Sequence, residues 1–109
     1  MIHARHYVPV TCVLESEYGE TVERLEDREG LVNSLIPPMS EESFQCWRFI
    51  DEYGDTVFNR QQMPQFLLEL AAIRDRTSDA APRRVLEGIE ALARRCRNEV
   101  HLYLKFYGD

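Results

Sequence analysis

Asp51, Asp55, Asn59, Arg60 and Gln62 fall within CWRFIDEYGDTVFNRQQ, residues 46–62, where the chain concentrates its polar chemistry. Two carboxylates held close together split their pKa values and can divide acid and base roles. Asn59, Arg60 and Gln62 are the donor and acceptor types that hold a polar ligand. The same residues also have a plainer use. Asp and Gly build turns, because an Asp side chain caps nearby backbone amides and Gly accepts positive φ. A polar strand-to-helix junction likewise supplies the hydrogen bonds that a helix start requires.

Other chemistries find less support. The spacing of Asp51, Glu52 and Asp55 is not that of an EF-hand loop, which needs more ligands and a distal Glu. His3 and His6 are three apart and would point to opposite faces of a strand. His101 stands alone. Cys12, Cys46 and Cys96 are widely spaced, odd in number and form no CxxC pair, so neither a disulfide framework nor a zinc site is expected. No GxGxxG or P-loop pattern occurs, and no cofactor is expected.

Charge narrows the choice of partner. The chain of 109 residues carries a net charge of −6, distributed unevenly. Residues 1–52 hold 11 acids and 4 arginines, and residues 53–109 hold 8 acids and 9 bases. Seven acids lie within residues 15–29. Such a face repels a phosphate backbone and suits a basic protein. The arginines at positions 83, 84, 94, 95 and 97 are read as a solvated helix side, with Glu87 and Glu90 placed for ion pairs with Arg83, Arg94 and Arg97. Nucleic acid is therefore not expected as a partner. Nor is a membrane, since no apolar run approaches the ~20 residues that span a bilayer. The N-terminal residues show no secretory signal, so a cytoplasmic location is expected.

These groups must be positioned by elements that the hydropathy pattern suggests. Residues 6–14 alternate as a strand, and Pro9 suggests a place at a sheet edge. Tyr18, Val22 and Leu25 form a narrow i, i+4, i+7 stripe that predicts an acidic helix over residues 19–29. Residues 31–36 read as a loop or brief strand, and residues 40–43 as a single helical turn. Residues 47–50 and 56–59 flank Tyr53-Gly54 as a β-hairpin. Pro64 opens a helix reaching about position 76. Pro82 opens another, with Val85, Leu86, Ile89, Leu92, Ala93 and Cys96 on its core face. Leu102, Leu104 and Phe106 alternate with Tyr103, Lys105 and Tyr107 in a closing strand. The whole predicts one α+β domain spanning residues 1–109: an antiparallel sheet of about four strands with two C-terminal helices packed on one face. Trp47, Phe49, Tyr103 and Tyr107 would gather on the opposite face, as strand residues or as a patch for a partner or second copy.

The run from Ile50 through Gln62, IDEYGDTVFNRQQ, together with the closing LYLKFYGD, resembles small uncharacterised bacterial proteins carrying an IDxYGDTxFN-type hairpin and a matching C-terminal strand. That resemblance implies a hairpin and no particular activity. In format, as a small acidic domain, the chain is also similar to immunity proteins that neutralise bacterial toxins.

The leading expectation is a non-catalytic bacterial interaction protein, of the immunity or accessory type. Glu20, Glu23, Glu26, Asp27, Asp51 and Asp55 would steer a basic partner, with Tyr53 or Trp47 as apolar anchor. The alternative is a small enzyme or ligand-binding domain at the hairpin–helix junction, using Asp51, Asp55, Asn59, Arg60 and Gln62. A third reading is a structural homo-oligomer, most simply a homodimer, built through the bare sheet face.

Overall fold

The computed structural model describes residues 9–108. It is an α+β fold in the order β1 (Thr11–Ser16), β2 (Thr21–Arg24), α1 (Leu31–Leu35), β3 (Asp55–Phe58), α2 (Met63–Asp75), α3 (Ala80–Asn98) and β4 (Leu102–Tyr107). The sheet is antiparallel with strand order β2-β1-β4-β3. The first and last strands form its central pair, in register from Thr11 opposite Tyr107 to Ser16 opposite Leu102. Cys12, Leu14, Phe58, Leu104 and Phe106 join Phe66, Leu70 and Ile73 of α2 and all six expected positions of α3 in one core. Two helices thus cover one sheet face.

Several local expectations are corrected. The expected strand over residues 6–14 begins at Thr11; His6, Tyr7 and Val8, with His3, lie outside the described residues. Pro9 precedes β1 rather than marking an edge, and β1 is an interior strand. Residues 19–29 form no helix. Ser16 closes a tight turn, its Oγ accepting from the Tyr18 and Glu20 amides at 3.2 Å each, and Gly19 takes φ 81°. The chain then returns as β2, an edge strand whose four residues are all exposed. Leu25 follows and packs on the core, in a space that Gly88 of α3 leaves open.

Residues 31–36, expected as a loop or brief strand, contain α1 instead. The Asp27 carboxylate accepts from the Leu31 and Val32 amides at 2.8 and 2.9 Å and starts that short helix. Residues 40–43 make turns rather than a helical turn. The predicted hairpin of residues 47–59 is also absent. Its first arm is a 3-10 turn (Trp47–Phe49), and its second, β3, pairs with β4. Trp47 is drawn into the core, stacked on Phe66 at 4.9 Å, with its indole N–H donating to the Phe66 carbonyl at 3.2 Å.

The turn that reverses the chain before β3 is fixed from the far end of β4. The Gly108 amide donates to the Gly54 carbonyl at 2.7 Å. A Cβ on Gly108 would stand 2.5 Å from the Glu52 carbonyl carbon and oxygen and 2.6 Å from the Asp51 carbonyl oxygen, all rigid backbone. Gly108→Ala is therefore expected to lower stability by about 1–2 kcal/mol and to accelerate amide exchange across residues 51–56. Unchanged unfolding in urea together with unchanged exchange would contradict this clamp.

Candidate functional site

The sheet separates the residues that the sequence grouped. The β3–β4–β1 register puts Asp55, Tyr107 and Thr11 at one end of the sheet and Phe58, Leu102 and Ser16 at the other. Asp55 is thus about 13 Å of extended chain away from Asn59, and the turn holding Asp51 lies farther still. No acid–base carboxylate from that turn reaches the Asn59–Gln62 junction.

At the junction, the polar residues serve the backbone. Asn59 Oδ1 accepts from the Gln61 and Gln62 amides at 3.0 and 3.2 Å, and Gln62 Oε1 accepts from the Asn59 amide at 2.9 Å. This is a reciprocal capping box leading into α2. Arg60 differs. Its Nε donates to the Arg97 carbonyl at 3.1 Å, across to the end of α3. A groove of about 630 Å³ opens here, lined by Asn59, Arg60, Gln61, Arg97, His101 and Tyr103 along with Pro64 and Leu102.

At the opposite end, Asp51 does the work of a turn. Its Oδ1 accepts from the Tyr53 amide at 2.8 Å, and Thr56 Oγ1 accepts from the Asp51 amide at 2.9 Å. Tyr53 stands outside this turn at 82 % exposure, close to exposed Phe49 and Met39. These three line a groove of about 340 Å³ with Arg48, Ile50, Asp51 and Glu52. The Arg48 guanidinium lies 4.4 Å from the Phe49 ring centre and donates to the Met39 carbonyl at 2.9 Å. An apolar trio is thereby held beside the carboxylates of Asp51 and Glu52. Met39 and Phe49 were not among the expected anchors, and Trp47, which was, is fully buried. With Trp47 in the core and Tyr103 and Tyr107 half-buried on β4, the expected four-membered aromatic patch does not assemble.

The acidic segment also divides. Glu20 is exposed in the β1–β2 turn, at the junction end, where neighbouring Glu17 meets His101 Nδ1 at 3.0 Å. Glu23 pairs with Arg95 of α3 at 3.0 Å, and Asp27 is committed to α1. Glu26 is exposed at the far end. Of the arginines on α3, Arg94 pairs with Glu90 at 2.6 Å and Arg95 also with Glu99 at 2.8 Å. Arg83 donates to the carbonyls of Arg74 and Thr77, rather than pairing with Glu87 or Glu90. Bonding to Arg94 and Arg74 outweighs burial and holds the Glu90 carboxyl below its ordinary range.

Two buried carboxylates escaped the sequence reading. Glu69 of α2 accepts from the amides of Gln45, Cys46 and Trp47 at 2.7, 3.0 and 2.9 Å. Glu15 of β1, on the sheet face away from the helices, meets Lys105 Nζ at 2.8 Å and accepts from the Tyr107 hydroxyl. Burial alone would raise the Glu15 pKa, but the Lys105 and Tyr107 hydrogen bonds outweigh it and the carboxyl is held below its ordinary value. The three cysteines are buried thiols; burial pushes Cys46 and Cys96 up to about 11, so neither is an activated nucleophile. Among the described residues, no group of three His, Cys, Asp or Glu side chains is placed to hold a metal ion, and no helix is long and apolar enough to cross a membrane. Compared with protein-family models, with curated proteins and with solved structures, the chain gives no match.

Proposed function

We propose that this chain is a non-catalytic bacterial protein–protein interaction protein, of the immunity or accessory type, that receives a basic partner at the Met39–Phe49–Tyr53 end. One observation carries the reading: three large apolar side chains at 56 %, 47 % and 82 % exposure share a groove bordered by Asp51 and Glu52. Scattered apolar residues on a surface need no explanation, but an apolar cluster with a polar rim, here Arg48, Asp51 and Glu52, has the make-up of an anchored interface. Aromatic anchors contribute most of the affinity in such interfaces, while rim carboxylates raise the association rate and reject acidic competitors. Glu26 and Asp55, exposed and without an intramolecular ion pair among the described residues, are the better steering groups. Glu23, Asp27 and Asp51 are occupied within the fold.

The test is quantitative capture of the partner from the native host at two salt concentrations. Phe49→Ala with Tyr53→Ala is expected to weaken binding at least about tenfold. Leu68→Ala, on exposed α2 surface, is expected to leave it unchanged. Glu26→Lys with Asp55→Lys is expected to slow association and flatten its salt dependence. Equal capture by the wild type and the Phe49/Tyr53 variant would rule out this surface.

A further inference from the structure

We propose that the groove between the start of α2 and the end of α3, lined by Asn59, Arg60, Gln61, Arg97, His101 and Tyr103, binds a small phosphate-bearing anion. This site stands apart from the partner surface, at the other end of the sheet, and neither depends on the other.

The argument begins with how the cations of this chain are spent. Arg74 and Arg94 share Glu90, Arg76 pairs with Glu41, Arg95 with Glu23 and Glu99, and Lys105 with Glu15. Arg60 and Arg97 are different. Each is steadied through Nε alone, Arg60 on the Arg97 carbonyl and Arg97 on the Asn98 side chain, both at 3.1 Å. Among the described residues, the terminal nitrogens of both guanidinium groups take no hydrogen-bond partner. Two forks anchored at the base and open at the tip suit the oxygens of a phosphate, which accept paired N–H bonds. Gln61 adds a side-chain amide and Tyr103 a phenol, and no carboxylate lines the groove.

Arg84 provides the internal contrast. It has no hydrogen-bond or ion-pair partner among the described residues, yet its groove, which also holds Arg28, is lined by Glu26, Asp27 and Glu29, so an anion there meets three carboxylates. At the Arg60–Arg97 groove the lining His101 is engaged by Glu17, at 3.0 Å from its Nδ1. With Glu20 in the same turn it limits the size of the ligand. A compact anion contacts only the donors, whereas a nucleic-acid strand would run past Glu17 and Glu20 and be repelled by a chain of net charge −6.

Titrating the full chain with inorganic pyrophosphate at constant ionic strength, observed by arginine Nε and amide NMR, tests the proposal. Saturable shifts concentrated at Arg60, Gln61, Arg97 and His101 are expected. Arg97→Gln should weaken binding about tenfold or more, and Arg84→Gln should not change it. A linear drift without saturation, shifts spread over the surface, or equal weakening by both substitutions would overturn it. If Arg97→Gln fails to fold, the wild-type shift map still decides between these outcomes.

Discussion

Glu69→Ala is expected to lower the unfolding free energy by about 3–5 kcal/mol, the cost of stranding buried donors whose charged partner is removed. Glu69 is 4 % exposed, and its two oxygens take the amides of three successive residues, Gln45, Cys46 and Trp47. It also accepts from Gln65 Nε2 at 2.8 Å. Those amides lie in a segment with no ladder partner, and alanine would leave the Cys46 and Trp47 amides buried without acceptors. A shift in the melting temperature of more than about 10 °C follows for a domain of this size. Glu69→Gln keeps the shape but turns an N–H₂ toward the amides, so most of the loss should remain. Urea unfolding followed through Trp47, the chain's one tryptophan, measures both variants. A glutamine variant as stable as wild type would show that side-chain packing, not the carboxylate, holds residues 45–47.

This contact also explains why the region was misread. Residues 47–50 have the composition of a strand, but strand formation needs their amides, and those of residues 45–47 are consumed by a carboxylate 22–24 positions along the chain. Only β3 remains to pair, and it pairs with β4. The clue available was Glu69 itself: it lies three residues after Phe66 and one before Leu70, on the stripe that α2 buries. A charge on an apolar stripe signals a partner, although not which one. By contrast α3 and β4 were legible because each buries one face in a regular period, 3.6 for Val85 through Cys96 and 2 for Leu102, Leu104 and Phe106. Strand β2 has no such signal, since its four residues are all exposed and no alternation distinguishes them from a helix surface. For the candidate sites, the residue types were visible but their grouping was not. Asp55 and Asn59 are neighbours in sequence, yet a strand holds them at opposite ends, and Arg60 meets Arg97 only because α3 returns to that end.

Lys105→Met is expected to cost about 2–4 kcal/mol at neutral pH, somewhat less than a wholly buried pair because the lysine side chain keeps 23 % of its exposure. Glu15, at 6 % exposure, would remain on the sheet with only the Tyr107 hydroxyl as hydrogen-bond partner. The pH dependence distinguishes this cause from lost packing. In the wild type, the Glu15 pKa is depressed, so its contribution is present above the unfolded value of about 4.3 and is lost as pH falls through the lower folded value. The Lys105 pKa is raised, chiefly by its hydrogen bond to Glu15, so its contribution is present below the unfolded lysine value and lost as pH rises through the folded one. Without Lys105, burial becomes the dominant influence on Glu15 and raises its pKa. The variant's penalty should then be full at neutral pH and shrink as acid neutralises the carboxyl. Urea unfolding near pH 4 and pH 7 should therefore show the two proteins converging at the acid end. A gap of constant size at both pH values would mean that Lys105 contributes its aliphatic stem to the sheet face and not its charge.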